Sequence, residues 1–215
     1  MRAASDDLIE LLVAGAEPVR RLPSPARRMA RWLLFAFVLL AVFAAGHPFR
    51  YDILHCVQQP LWIALCGAAL ATAVLAAAAA FTLSIPGRSK YWALLPVPSL
   101  LVWVLVIGMR TSWVGAEVDA LGVAGVADAI GTVVLLGIPL AVISAVMLRH
   151  AAGLAQRSVP TMAGLAIAGV AGTALSLFHP LHATVWLVAS SAGVAALFLI
   201  AGSLVGPKLL AWAAR

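Results

Sequence analysis

Charge is what this chain has least of: of 215 residues, 10% are Asp, Glu, Lys or Arg, while 64% are apolar. A typical soluble domain carries about 25% charged residues. This composition belongs in lipid and leaves no room for a separate soluble domain. Cysteine is scarce too. Cys56 and Cys66 are the only two, too few for a disulfide framework. At a rise of about 1.5 Å per residue, Cys66 falls roughly two turns inside its apolar run, so a bridge to Cys56 needs the loop to fold back. Cys66 is read instead as a small buried hydrophobe. Carboxylate pairs, a nucleophile elbow, a glycine-rich phosphate loop and metal-ligand motifs of defined spacing are all missing. The expectation is therefore a protein that is not an enzyme and implies no cofactor. The net charge of +6 does not point to nucleic acid, because the basic residues sit at the ends of apolar runs with no polar scaffold between them. Anionic headgroups and topology account for them better.

What is present is apolar sequence in lengths that match a bilayer. A crossing takes roughly 20 apolar residues for about 30 Å of hydrocarbon, and six such runs are predicted, near 29–46, 60–84, 91–109, 130–148, 159–178 and 184–205. Their connections alternate in charge. Arg20, Arg21, Arg27, Arg28 and Arg31 stand at the start of the first run, Arg88 and Lys90 between the second and third, Arg149 and Arg157 between the fourth and fifth, and Lys208 and Arg215 after the last. The other side keeps Arg50 and Arg110 against Asp52, Glu117, Asp119 and Asp128. The excess of basic residues puts the first group, and both termini, in the cytoplasm. Ala44, Ala45 and Gly46 faintly resemble a signal-peptide cleavage site, but the apolar run begins too late for one. Trp32, Trp62, Tyr91, Trp92 and Trp212 are read as interfacial anchors.

Small residues recur every four positions at Gly164, Ala168, Gly172 and Ser176, and at Ala64, Ala68, Thr72, Ala76 and Ala80. Such ridges let helices approach closely in lipid, and the expectation is packing within one subunit. No ionisable side chain falls in the body of these runs, whereas ion and polar-solute pathways usually need one at mid-depth. Thr72, Ser144, Thr173, Ser176, Ser190 and Ser191 are explained by hydroxyls bonding back to their own helices. Pro96, Pro98 and Pro139 are candidate kinks that neighbouring helices tolerate. The fold class is an all-α membrane protein: a six-helix transmembrane bundle, 29–206, with a short cytoplasmic amphipathic helix within an N-terminal arm, 1–28, and a cytoplasmic tail, 207–215.

One polar cluster stands out on the outer side. His47, His55, Cys56, His179 and His182 adjoin the first, second, fifth and sixth runs. Imidazole and thiolate suit Zn or Cu, and His179 and His182 are three apart. They are candidate signal-sensing residues, and loop or interface residues are the plainer alternative. No metal is assigned to them.

The arm is the other candidate site. Ser5 can cap a helix, Asp6 and Asp7 favour its positive end, and Gly15 can stop it. Leu8, Leu11 and Leu12 share a face that Ile9 and Val13 widen. A helix of about ten residues is marginal alone, so this face needs something to cover it. A membrane-surface helix carries Lys and Arg on its polar face, whereas this one carries Asp6, Asp7 and Glu10. A protein groove with a basic rim is the better fit. Pro18 and Pro23 oppose continuation of the helix through Val19, Arg20, Arg21 and Leu22. Ser24 then caps a new helix with Pro25 at its first position, running into the first apolar run. Arg27, Arg28 and Arg31 are read as topology signals, while Arg20 and Arg21 can also serve a partner.

With these residues set out, the chain resembles the NrsF-type membrane anti-sigma factors, negative regulators of extracytoplasmic-function sigma factors in bacteria. The resemblance rests on Asp6-Asp7-Leu8-Ile9, Pro18-Val19-Arg20-Arg21-Leu22, Ser84-Ile85-Pro86-Gly87-Arg88 before Tyr91-Trp92, Leu94-Leu95-Pro96 and Gly206-Pro207-Lys208-Leu209-Leu210, and runs nearly end to end. It implies a multi-pass protein of the inner membrane whose cytoplasmic N-terminal segment holds a cognate sigma factor inactive until a stress signal releases it. The amphipathic face and the resemblance together make the candidate partner-binding residues Asp6, Asp7, Leu8, Ile9, Leu11, Leu12, Pro18, Val19, Arg20, Arg21 and Leu22. Family members commonly carry cysteines where Ile138-Pro139 and His179-Pro180 stand here. Three readings stay open: His179 senses metal by other ligand chemistry, sensing has moved to Cys56, or it is lost. The alternatives from other classes are a small polytopic transporter or metal-handling membrane protein, with the outer histidines at its entrance, and a structural subunit of a membrane complex.

Overall fold

A computed structural model describes residues 23–47, 53–85, 87–113, 123–148 and 158–178. All regular structure among them is helical. The elements are α1 (Pro25–Gly46), the single turn α2 (Ile53–Cys56), α3 (Pro60–Leu83), a 3₁₀ segment (Lys90–Leu94), α4 (Val97–Trp113), α5 (Val123–Leu148) and α6 (Ser158–Phe178). Five stretches are long and apolar enough to cross a membrane: Pro25–Gly46, Pro60–Leu83, Lys90–Met109, Ala127–Leu148 and Ser158–Phe178. These correspond to the first five predicted runs, and the sixth, 184–205, lies outside the described residues.

The ends of the helices follow local chemistry. Ser24 caps α1 through its hydroxyl, which accepts from the Arg27 amide at 3.4 Å, and Pro25 opens the first turn, as the sequence predicts. α3 starts on Pro60 and closes at Ser84, whose amide donates to the Ala80 carbonyl at 3.1 Å. Gly87, at φ 80°, supplies the left-handed turn that sends the chain back, a backbone state nearly free of cost only for glycine. The third run is not one continuous helix. It begins as the 3₁₀ segment, and α4 starts only at Val97, because Pro96 and Pro98 lack amides and fit a first helical turn rather than an interior. In α5 the helix runs unbroken past Pro139. It also begins earlier than predicted, so Asp128 lies within its first turns rather than in the preceding loop.

α6 is the central helix. Most of its residues are buried, from Val159 to Phe178, and it is apolar or small on every side, as a helix surrounded by others must be. Its tightest neighbour is α3. A Cβ placed on Gly169 would stand 2.8 Å from both the Ala69 carbonyl oxygen and the Ala73 amide nitrogen. On the next turn, a Cβ on Gly172 would stand 2.3 Å from the Trp103 ring of α4. The closest approach falls one position off the predicted small-residue ridges: Gly169 and Ala73 make the α3–α6 seam, while of the predicted positions Gly172 receives the indole and Thr72 turns to α4, its hydroxyl 3.1 Å from that of Ser99. Thr72, Ser144, Thr173 and Ser176 all donate to the carbonyl four residues earlier, as expected for hydroxyls in apolar helices.

The outward faces of α1, α4 and α5 are apolar. Leu34, Phe37, Val38 and Val42 on α1, Leu101, Val104 and Leu105 on α4, and Val134, Leu135, Ile138 and Val142 on α5 are all exposed. This far exceeds the patches a water-soluble monomer leaves open, and it suits a hydrocarbon solvent.

Candidate functional site

The contacts put the start of α1, the end of α3, the end of α5 and the start of α6 at one end of the bundle, since Trp32, Leu83, Leu148 and Val159 share a single core cluster. At the other end, Phe43 packs edge-on against Phe178 with ring centroids 5.0 Å apart, and the Trp62 indole donates to the Ser176 carbonyl at 3.2 Å. The first end therefore gathers the root of the N-terminal arm with the basic residues Arg27, Arg28, Arg31, Arg88 and Lys90. The second carries the described members of the histidine and cysteine cluster.

Arg28 is the residue that sequence reasoning places wrongly. It reads as one more topology charge, yet only 8% of its surface is exposed. Nη1 donates to the Ser84 hydroxyl at 3.1 Å, Nη2 donates to the Met147 carbonyl, and the guanidinium carbon lies 5.4 Å from the centroid of the Phe81 ring. The Ser84 hydroxyl in turn donates to the Phe81 carbonyl at 2.7 Å. One side chain of α1 thus joins the C-terminal turn of α3 to the last described turn of α5. The end of α3 carries roughly half a negative charge from its last carbonyls, which opposes the cation. The ring face adds a cation–π contact. Arg27 and Arg31, on neighbouring positions, are exposed and fit the topology reading. A signal for Arg28 was available in its register: it stands four residues before Trp32, on the face that Trp32 and Ala36 bury.

Trp32 and Trp62 correct the anchor reading. Both are buried, at 1% and 6% exposure. The Trp32 indole donates to the Ser144 hydroxyl of α5 at 2.8 Å. An indole N–H away from water requires an acceptor, and each finds one on another helix. Tyr91 and Trp92 are exposed, in keeping with an interfacial position.

Among the outer candidates, His47 follows α1 with its ring stacked on Phe43, centroids 4.0 Å apart and planes within 9°, and Nδ1 3.3 Å from the Phe43 carbonyl oxygen. His55 is exposed on α2, whereas Cys56 is buried in a cluster with Trp62, Leu65 and Trp103. No disulfide joins Cys56 to Cys66, and Cys66 packs, half-buried, against the same cluster. Among the described residues, no three of His, Cys, Asp and Glu come together in a metal-binding group. His179 and His182 lie outside the described residues, as do all eleven partner-binding candidates: Asp6, Asp7, Leu8, Ile9, Leu11, Leu12, Pro18, Val19, Arg20, Arg21 and Leu22.

No curated protein and no solved structure matches the chain. A family model does, over residues 12–212, and its description is NrsF, negative regulator of sigma F. The match takes in Leu12 and the segment from Pro18 to Leu22, while Asp6 to Leu11 precede it. Because it spans nearly the whole sequence, from the arm through every described helix, the chain belongs to the NrsF family, whose members are regulators acting negatively on a sigma factor.

Proposed function

We propose that this protein is a membrane-bound anti-sigma factor that sequesters a cognate extracytoplasmic-function sigma factor through its cytoplasmic N-terminal arm, residues 1–28, and releases it on a stress signal. The family match over residues 12–212 carries the reading. Six spans within 29–206 anchor it in the bacterial inner membrane, with the arm and the tail 207–215 both cytoplasmic. Support for that topology comes from the charge alternation of the loops and from the apolar outer faces of α1, α4 and α5.

Physically the act is burial. An amphipathic helix through Leu8, Ile9, Leu11 and Leu12 lays its apolar face into a groove of the sigma factor, with Asp6 and Asp7 against a basic rim. Pro18 to Leu22 act as a stiff spacer, and Arg20 and Arg21 add contacts. The occupied groove is one the sigma factor needs for polymerase. A signal acts only through a difference in free energy between bound and free states, and a coupling of about 1–3 kcal/mol shifts affinity roughly 5- to 150-fold.

The test is co-purification of the sigma factor with the full-length protein from membranes. The double replacement of Leu8→Asp and Leu12→Asp is expected to abolish co-purification while the protein still inserts. Undiminished recovery of the sigma factor with the double variant contradicts the role given to the arm. An arm labelled only from the outer side of the membrane contradicts the topology.

A further inference from the structure

The arm joins α1 at the Ser24 cap, so whatever fixes the first turns of α1 fixes where that junction stands. Arg28 is that fixture. It lies in the first turn after the Ser24 cap, and its own amide donates to the Ser24 carbonyl at 3.1 Å. Its guanidinium reaches two other helices, α3 through the Ser84 hydroxyl and Phe81 ring, and α5 through the Met147 carbonyl. We infer that Arg28 is a positioning residue that clamps the arm's root to the ends of α3 and α5, so that the packing of those two helices sets how the arm is presented to its partner.

Three features of the geometry carry this. First, the attachment is conditional. Both anchor points must lie within one guanidinium's reach at once, so a small separation of α3 from α5 breaks one of the two bonds. Second, the attachment is specific to arginine. A planar fork with donors on two nitrogens can serve a hydroxyl and a carbonyl on different helices while stacking on a ring, and a lysine ammonium has neither the span nor the plane. Third, the position is economical for a buried cation, because the C-terminus of α3 and the face of the Phe81 ring supply opposing charge. Binding by an arm held in one direction costs less ordering than binding by a freely swivelling one, and loosening the clamp therefore weakens capture.

This inference rests on the anti-sigma reading for its effect on capture but not for the clamp itself, and the experiment separates the two. In full-length protein in nanodiscs, with Cys56→Ala and Cys66→Ala as background, spin labels at the exposed positions Ala26→Cys and Lys90→Cys report the distance between the arm's root and the start of the 3₁₀ segment that follows α3. A single narrow distribution is expected with Arg28 present. It broadens with Arg28→Ala, broadens partly with Arg28→Lys and Ser84→Ala, and is unchanged with Arg27→Ala. Affinity for the sigma factor, measured on the same samples, falls roughly fivefold or more with Arg28→Ala and is unchanged with Arg27→Ala. An unaltered distribution in Arg28→Ala overturns the clamp. A broadened one with unaltered affinity overturns its link to capture while leaving the proposed function standing. If the unmutated protein binds no sigma factor, the proposed function falls and the distance measurement still judges the clamp. Should Arg28→Ala not insert, Arg28→Lys and Ser84→Ala carry the same comparison.

Discussion

The seam between α3 and α6 and the root of α1 hold the same bundle by opposite means. At the seam, side chains are nearly absent: Gly169 lies against Ala69 and Ala73 so closely that a single added carbon meets backbone atoms at 2.8 Å. At the root, side chains do everything, with the Arg28 fork and the Trp32 indole donating across to Ser84, Met147 and Ser144. Close backbone approach is rigid because nothing in it can rotate away, and in lipid it supplies the dispersion contacts that replace a hydrophobic driving force. Hydrogen-bonded side chains are directional and can be lost one at a time. The seam is therefore where the bundle is built, and the root is where it can be adjusted.

Substitution at the seam should be the most damaging. Gly169→Leu, which must push two helices apart, is expected to cost about 3 kcal/mol or more, at or beyond the upper end of overpacking penalties, and Gly169→Ala a smaller part of that. Gly67, on α3, the other helix of the seam, has open space where a Cβ would stand, so Gly67→Ala should be neutral or gain up to about 1 kcal/mol. Heat-induced unfolding in detergent micelles measures both. Equal losses at the two glycines would erase the distinction between seam and surface. Arg28→Ala comes next, at about 2 kcal/mol, since hydrogen bonds from a charged donor are worth roughly 1.5–3 kcal/mol. Arg31→Ala, on the exposed side of the same turn, should stay within about 0.5 kcal/mol.

How much of this is legible in sequence follows the same division. Five helices, their order and the ends of α1 and α3 are readable, because long apolar runs and the Ser24-Pro25 start act locally. The α3–α6 seam is half readable. The four-residue spacing points to the right helices but selects Ala168 where Gly169 makes the approach, since spacing alone does not fix which turn meets a neighbour. The root is barely readable. Arg28, Arg27 and Arg31 are the same residue type within four positions; only its register with Trp32 sets Arg28 apart, and the acceptors it meets, Ser84 and Met147, are 56 and 119 residues away. Trp32 and Trp62 mislead for a related reason. A tryptophan near a span end suits headgroup water equally well until another helix offers its nitrogen an acceptor.

Trp32→Phe sharpens the contrast at a smaller scale. It removes one neutral hydrogen bond and leaves a ring in place, so a loss of about 1–2 kcal/mol is expected. Because the Ser144 hydroxyl still donates to the Leu140 carbonyl, Trp32→Phe strands no buried donor, whereas Ser144→Ala leaves the buried Trp32 indole N–H without its acceptor and should lose at least as much. A double replacement that costs clearly less than the sum of the two confirms that they act through one bond, whereas strict additivity would show that the indole stabilises by packing alone.

Among the hydrogen bonds at the root, the smallest loss is expected at the cap itself. The bond from the Arg27 amide to the Ser24 hydroxyl is long, at 3.4 Å, and exposed, and Pro25 already sets the backbone angle of the first turn. Ser24→Ala should therefore cost about 0.5–1 kcal/mol, at the low end for a lost N-cap. The cost should be local. Amide exchange at Arg27 should quicken while the melting temperature barely moves, because Arg28 and Trp32 hold the following turns of α1 to α3 and α5. A melting temperature lowered as far as by Gly169→Ala would mean that the root depends on its cap rather than on its cross-helix bonds. Combining Ser24→Ala with Arg28→Ala decides the matter: if the arginine is what retains the first turns, exchange at Arg27 in the double variant rises well beyond the product of the two single effects.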